Sequence, residues 1–106
     1  EYDKLQKRAY ELLCENIPAN CTEIVSGGAM GVDRLAEIYA RHNNLPTKIF
    51  LPEYDKYGKR APIVRNDKIV EYSQYVLAFW DGSSHGTAYT VATCLKEGVP
   101  VKIISL

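Results

Sequence analysis

Residues 75–87 read YVLAFWDGSSHGT, an apolar run that passes directly into a glycine-rich turn. The run 75–80 is apolar at positions that face both sides of a strand, which is typical of a central strand covered by helices. Apolar residues then recur at helical spacing over about 86–97, namely Ala88, Val91, Ala92 and Leu95. This order of strand, turn and helix predicts an α/β protein.

A second stretch of the same kind lies earlier in the chain. A short strand at about 23–26 is followed by the turn 26–33, SGGAMGVD, and by a helix over about 31–43. Glycine allows a sharp bend and a close approach of a ligand, and a helix that opens after such a turn directs unpaired N–H groups at phosphate. Two such turns in one small domain predict a single site for a phosphorylated ligand.

The remaining elements complete an alternating pattern. Periodicity predicts a helix over 3–16, a strand over 48–51 that ends at Pro52, a polar loop over 53–61, a helix over 62–72 and a strand over 101–105. The order α-β-α-β-α-β-α-β indicates a mostly parallel sheet with right-handed crossovers, formed by all 106 residues as one domain. Ligands of such sheets bind beyond the carboxyl ends of the strands, where both glycine turns lie.

Composition narrows the class of partner. Lys plus Arg and Asp plus Glu number 13 each, so no net positive field attracts nucleic acid or an anionic membrane surface. No segment has the length of a membrane span. The three cysteines, Cys14, Cys21 and Cys94, lack metal-ligand spacing and indicate reduced thiols of a cytoplasmic protein. We expect no metal ion and no cofactor.

The motifs as a set resemble the SLOG superfamily, and in particular its YspA/YpsA-related branch. The resemblance is carried by Ser26-Gly27-Gly28-Ala29-x-Gly31-x-Asp33, Tyr57-Gly58-Lys59, Arg65-Asn66 and Phe79-Trp80-Asp81-Gly82-Ser83-x-x-Gly86-Thr87. It implies a Rossmann-like three-layer fold that binds nucleotides or nucleotide derivatives. Relatives within the superfamily include the DNA-processing protein DprA and the Lonely-guy phosphoribohydrolases.

The family pattern normally begins with an apolar strand that lies in the middle of the sheet. This sequence starts on the helix that should follow that strand. The resemblance therefore implies a sheet with a gap and unpaired backbone groups, through truncation, removal of the first segment or completion by a partner. An open edge of this kind favours a homodimer.

Each candidate site residue has a functional and a structural interpretation. The glycines contact phosphate or only form tight turns, and the hydroxyls bind phosphate or cap helices. The carboxylates of Asp33 and Asp81 either bind a ribose hydroxyl or stabilise their turns. The candidate ligand-binding residues are Ser26, Gly27, Gly28, Gly31, Asp33, Arg65, Asn66, Asp81, Gly82, Ser83, Ser84, Gly86 and Thr87.

Arg65 falls in the first turn of the predicted helix 62–72, where the helix dipole disfavours a positive charge. In the functional interpretation its guanidinium binds phosphate with two hydrogen bonds, and in the structural interpretation it forms a surface salt bridge. The loop 53–61 carries Tyr54 and Tyr57, which stack on a base in the functional interpretation, and the basic residues Lys56, Lys59 and Arg60. Trp80 either stacks on a base or packs at the rim.

Three functions are compatible with this pattern. The first is binding or sensing of a nucleotide or nucleotide-derived phosphorylated ligand. The second is an N-glycosidic phosphoribohydrolase, which needs a carboxylate near the anomeric carbon, but Thr90 stands where the resemblance places the glutamate. The third is single-stranded DNA binding as in DprA, which the balanced charge disfavours. No catalytic residue is assigned.

Overall fold

The computed structural model describes the backbone of residues 2–29 and 31–105 and the side chains of residues 4–29 and 31–105. The elements are α1 (Tyr2–Asn16), β1 (Ile24–Ser26), α2 (Val32–His42), β2 (Thr47–Ile49), α3 (Tyr54–Tyr57), a 3-10 turn (Gly58–Arg60), α4 (Ala61–Tyr72), β3 (Val76–Trp80), α5 (His85–Glu97) and β4 (Val101–Ser105). The chain divides into two compact units, Glu1–Ile49 and Phe50–Leu106.

The first unit contains α1, β1, α2 and β2. Strands β1 and β2 pair in parallel, with Ile24 opposite Thr47 and Ser26 opposite Ile49. The connection between them is the helix α2, as parallel pairing requires. Among the described residues of this unit, the buried apolar ones are Ala9, Leu13, Ile24 and Ala40.

The second unit contains the remaining elements, with β3 and β4 again paired in parallel. The register runs from Val76 opposite Val101 to Trp80 opposite Ser105, and α5 connects the two strands. The buried cluster of this unit consists of Val70 of α4, Val76 of β3 and Cys94 of α5, and Val99 and Val101 pack against it. Both units therefore confirm the predicted α/β class with parallel strands, but the strands form two two-stranded sheets in place of the single predicted sheet.

The predicted polar loop over 53–61 was wrong. Most of this segment is helical, because the carbonyl of Glu53 accepts the N–H groups of Lys56 and Tyr57 and closes the turn that opens α3. Gly58, with φ 58°, is the first residue of the 3-10 turn and changes the direction of the chain there. Strand β2 is also displaced from the prediction, since it spans Thr47–Ile49 rather than 48–51.

Two predicted apolar stripes differ in their exposure. Leu95 of α5, which the predicted stripe includes, is 72% exposed, whereas its neighbour Cys94 is buried. The face of α5 that packs on the core therefore contains Cys94 and not Leu95. Leu5 of α1 is 63% exposed, whereas Ala9 and Leu13 are buried. Periodicity located both helices but did not define the limits of their buried faces.

Strand β3 is less enclosed than its sequence predicts. Val76 and Ala78 are buried, and Leu77, Phe79 and Trp80 on the alternate positions and at the end are half-buried. The face of the strand that carries Val76 and Ala78 is therefore covered, and the face that carries Leu77 and Phe79 is only partly covered. Within the described residues, no helix has the length and apolar character to cross a membrane.

Candidate functional site

The turn between β3 and α5 is held by the carboxylate of Asp81. Its Oδ1 accepts the backbone N–H of Ser83 at 2.8 Å and of Ser84 at 3.0 Å, and the Ser83 hydroxyl at 3.1 Å. The hydrogen bond from the Ser83 backbone, followed by the other two, holds the pKa of Asp81 below its ordinary value. A carboxylate bound in this way is a fixed part of the turn.

Ser84 is the N-cap of α5, and all three of its polar atoms are engaged. Its N–H goes to Asp81, and its Oγ accepts the N–H of Thr87 at 3.3 Å. Its carbonyl accepts the indole N–H of Trp80 at 3.0 Å and the N–H of Ala88 at 3.1 Å. The capping interpretation of Ser84 therefore describes its observed contacts.

Helix α5 begins with two backbone N–H groups that the bonds of the helix do not use. Among the residues that the structure describes, neither His85 nor Gly86 has a hydrogen-bond acceptor for its backbone N–H, and the Thr87 hydroxyl likewise has no partner. A Cβ built on Gly86 or on Gly82 meets no heavy atom within 4 Å. Unpaired donors, the positive end of a helix and open space are the conditions under which an anion binds.

Helix α4 lies beside α5 in the same unit. The hydroxyl of Tyr89 on α5 donates to Asp67 on α4 at 2.9 Å. That hydrogen bond raises the pKa of Tyr89, and the nearby charge of Arg60 lowers it by a smaller amount. Arg60 immediately precedes α4, and its charge reaches Tyr89 in the second turn of α5. Lys59 and Arg60 are both exposed and give the start of α4 a positive charge.

Arg65 and Asn66 are bound to each other. The Nε of Arg65 donates to Oδ1 of Asn66 at 2.9 Å. Because α4 begins at Ala61, Arg65 lies in its second turn, and the prediction that placed it in the first turn was wrong. The helix dipole falls off within one turn, so it gives no reason for a cation at this position to seek a phosphate.

The turn between β1 and α2 is closed by its own side chains. Ser26 is 1% exposed, and its Oγ donates to Oε2 of Glu37 at 2.9 Å and accepts the N–H of Gly28 at 3.0 Å. The N–H of Ala29 goes to Oδ2 of Asp33 at 3.2 Å. Two of the amides of this turn are thus already satisfied by protein oxygens, and two carboxylates lie beside it.

Glu37 is the residue of this turn that sequence reasoning missed. It follows Asp33 by four residues, and side chains at that spacing lie on the same face of a helix. That spacing is the signal that could have found it. The positive φ of Gly28 (70°) and Gly31 (84°) explains why glycine occupies these two positions of the turn.

The tyrosines of the segment 53–61 differ in accessibility. The ring of half-buried Tyr57 has the Nζ atoms of Lys56 and Lys68 at 5.3 and 5.5 Å from its centroid, and Lys68 also binds Glu53 at 2.8 Å. This hydrogen bond lowers the pKa of Glu53 and raises that of Lys68. Tyr54 is 59% exposed, so its ring is the more accessible for stacking on a base.

Position 90 holds no acid that could assist cleavage of a glycosidic bond. The hydroxyl of Thr90 donates to the carbonyl of Gly86 at 3.1 Å, within α5 itself. The carboxylates beside the two glycine turns, Asp33 and Asp81, each accept hydrogen bonds from backbone N–H groups of their own turns. No group of three His, Cys, Asp or Glu side chains capable of holding a metal ion occurs in the described part of the chain.

A separate open groove of about 450 Å³ lies between α1 and α2, lined by Gln6, Lys7, Tyr10, Glu11, Leu35, Ile38 and His42. The Tyr10 hydroxyl and Nδ1 of His42 are 3.0 Å apart at one end. Burial, together with Cys14 and Tyr39, raises the pKa of Tyr10. None of the predicted ligand-binding residues lines this groove.

Comparison of the chain with protein-family models, with curated proteins and with solved structures found no match. The resemblance to the SLOG superfamily accordingly stays a prediction from the motifs.

Proposed function

We propose that this protein binds a nucleotide or a nucleotide-derived ligand, and that the turn between β3 and α5 receives its phosphate. The observation that carries the proposal is the pair of backbone N–H groups at His85 and Gly86, which have no acceptor among the described residues. The Thr87 hydroxyl is the third donor of this phosphate site. A phosphate oxygen is the acceptor that such a helix N-terminus favours.

The charge around the turn supports an anionic ligand. Lys59 and Arg60 are exposed at the N-terminal end of α4, and the charge of Arg60 reaches Tyr89 in the second turn of α5. The carboxylate of Asp81 lies close to the same turn, but it is occupied by three hydrogen bonds from within the turn. Its position suits a ribose hydroxyl beside the phosphate, which can donate to a carboxylate oxygen.

The proposal includes the finer fold that the motifs imply. Two parallel strand pairs with helical crossovers are compatible with a Rossmann-like three-layer arrangement of the SLOG type. Glycine turns that follow β1 and β3 occupy the positions at which such folds bind ligands. Binding rather than catalysis is proposed, because Thr90 supplies no carboxylate and its hydroxyl is bonded within α5.

An amide-detected titration tests the site directly. Uniformly ¹⁵N-labelled protein is titrated with AMP, and with adenosine as the ligand that lacks phosphate. We expect AMP to shift the amide resonances of His85 and Gly86 more than others, and adenosine to leave them unchanged at equal concentration. AMP that fails to bind, or that shifts only residues of the α1–α2 groove, would contradict the proposal.

Thr87→Val is the matching variant, since valine keeps the branched shape and removes the hydroxyl. A hydrogen bond to a charged group is worth about 1.5–3 kcal/mol, which corresponds to roughly tenfold to 150-fold weaker AMP binding. Thr93→Val is the control on the same helix, because the Thr93 hydroxyl donates to the carbonyl of Tyr89 at 2.9 Å, away from the N-terminus. Equal affinity of the two variants would remove Thr87 from the site.

A further inference from the structure

We infer that Trp80 is a positioning residue, which orients the first backbone N–H group of α5, that of His85, by donating a hydrogen bond to the carbonyl of Ser84. Trp80 is the last residue of β3 and its side chain is half-buried. Its indole Nε1 lies 3.0 Å from the Ser84 oxygen. The inference rests on the proposed function of the turn, and it assigns to Trp80 a role other than stacking on a base.

The Ser84 carbonyl belongs to the peptide group whose nitrogen is that of His85. A peptide group is planar, so the direction of this C=O also sets the direction of the His85 N–H. The carbonyl accepts from Ala88 along the helix axis, and the indole supplies a second bond from the strand. Trp80 therefore fixes, through one planar group, the first of the two donors that the phosphate meets.

Asp81 holds the other side of the same residue. Its Oδ1 accepts the Ser84 N–H at 3.0 Å. Trp80 and Asp81, which are consecutive in the chain, therefore hydrogen-bond to the backbone oxygen and to the backbone nitrogen of Ser84, respectively. Donors that are fixed before binding do not have to be ordered by the ligand, and the affinity for an anion rises accordingly. This explains why a tryptophan with an N–H, rather than any large apolar residue, serves at the end of β3.

The test uses Trp80→Phe, which keeps an aromatic side chain and removes the indole N–H. In the free ¹⁵N-labelled protein we expect the His85 amide resonance to shift and its order parameter to fall, while Lys96, near the other end of α5, is unchanged. AMP binding is expected to weaken about fivefold, the effect of losing one ordinary hydrogen bond. An unchanged His85 amide would overturn the inference.

A shape-matched replacement separates the hydrogen bond from packing. The chain contains a single tryptophan, so growth on a benzothiophene analogue of tryptophan replaces the indole N–H by sulfur at position 80 alone. We expect this protein to match Trp80→Phe in its His85 amide and its AMP affinity, while its unfolding midpoint stays near that of the unmodified chain. Recovery of the unmodified AMP affinity would show that only the ring shape matters and would overturn the inference.

The outcomes separate this inference from the function on which it rests. If the unmodified protein fails to bind AMP, the proposed function fails, and the His85 amide of the free variant still decides whether Trp80 orients the turn. If AMP binds with equal affinity to the unmodified protein and to both replacements, the proposed function stands and the role of Trp80 is overturned. In the unmodified protein, the single indole N–H resonance should shift on AMP addition.

Discussion

Replacing Gly86 by alanine should strengthen the fold and weaken the proposed binding. Gly86 is the second residue of α5, its φ lies outside the left-handed region, and a Cβ built there meets no heavy atom within 4 Å. Alanine in a helix is more favourable than glycine by about 0.5–1 kcal/mol. For a chain of this size that gain corresponds to a rise in Tm of roughly 2–6 °C.

The same methyl group obstructs the anion site. The Cα–Cβ bond of a helical residue tilts toward the N-terminus of the helix, so the new methyl at position 86 projects toward the incoming phosphate. Loss of the Gly86 N–H contact, a bond to a charged acceptor, weakens AMP binding by about tenfold or more. Thermal unfolding followed by circular dichroism gives the stability, and isothermal titration with AMP gives the affinity.

Gly98→Ala is the control at the opposite end of α5. Gly98 is the C-cap with φ 73°, where an alanine costs about 1–2 kcal/mol. Its AMP affinity should stay unchanged while its Tm falls, the reverse of the expectation for Gly86→Ala. A Gly86→Ala protein that gains stability and binds AMP as tightly as the unmodified protein would refute the phosphate site, and one that loses stability would refute the helical geometry.

Two further predictions concern the side chains that hold the turns. Ser26→Ala should lower the free energy of unfolding in urea by about 1–3 kcal/mol, because it leaves the Gly28 N–H without its acceptor and Glu37 without its donor; Ser26→Thr is the comparison that keeps the hydroxyl, and an equal loss in both would assign the effect to packing. Asp81 has a depressed pKa in the folded state, so its stabilising effect is fully present above its ordinary value of 3.8 and is lost as the pH falls through the lower folded value. The Ser84 amide resonance, followed from pH 6 to pH 2, should move at that lower pH, and a midpoint at or above 3.8 would contradict the hydrogen bonds of the turn.

The alternating order of helices and parallel strands could be predicted because it depends on local periodicity and on turn residues. Helix α1 and strand β4 were placed within one residue. Helix α3 was missed, because four residues carry too little periodicity and its first turn is closed by the carbonyl of Glu53. The buried edge of α5 was misplaced by one residue, since the choice between Cys94 and Leu95 is made by packing against Val70 and Val76.

The two glycine turns look equivalent in the sequence, and the structure makes them chemically different. In the first turn, the N–H groups of Gly28 and Ala29 end on oxygens of Ser26 and Asp33, so those two donors are already used. In the second, the internal bonds hold the residues up to the N-cap and leave the first two N–H groups of α5 without acceptors among the described residues.

This difference depends on which side-chain oxygen reaches which amide, and a pattern of residue types does not determine that choice. Both turns contain a carboxylate and a hydroxyl, and both precede a helix. Asp33 lies within α2, so its carboxylate reaches back to an amide ahead of the helix, whereas Asp81 precedes α5 and its carboxylate ends at the N-cap. The position of the acid relative to the helix start therefore decides which amides its carboxylate occupies: an amide ahead of the helix in the case of α2, and the amide of the turn and of the N-cap in the case of α5.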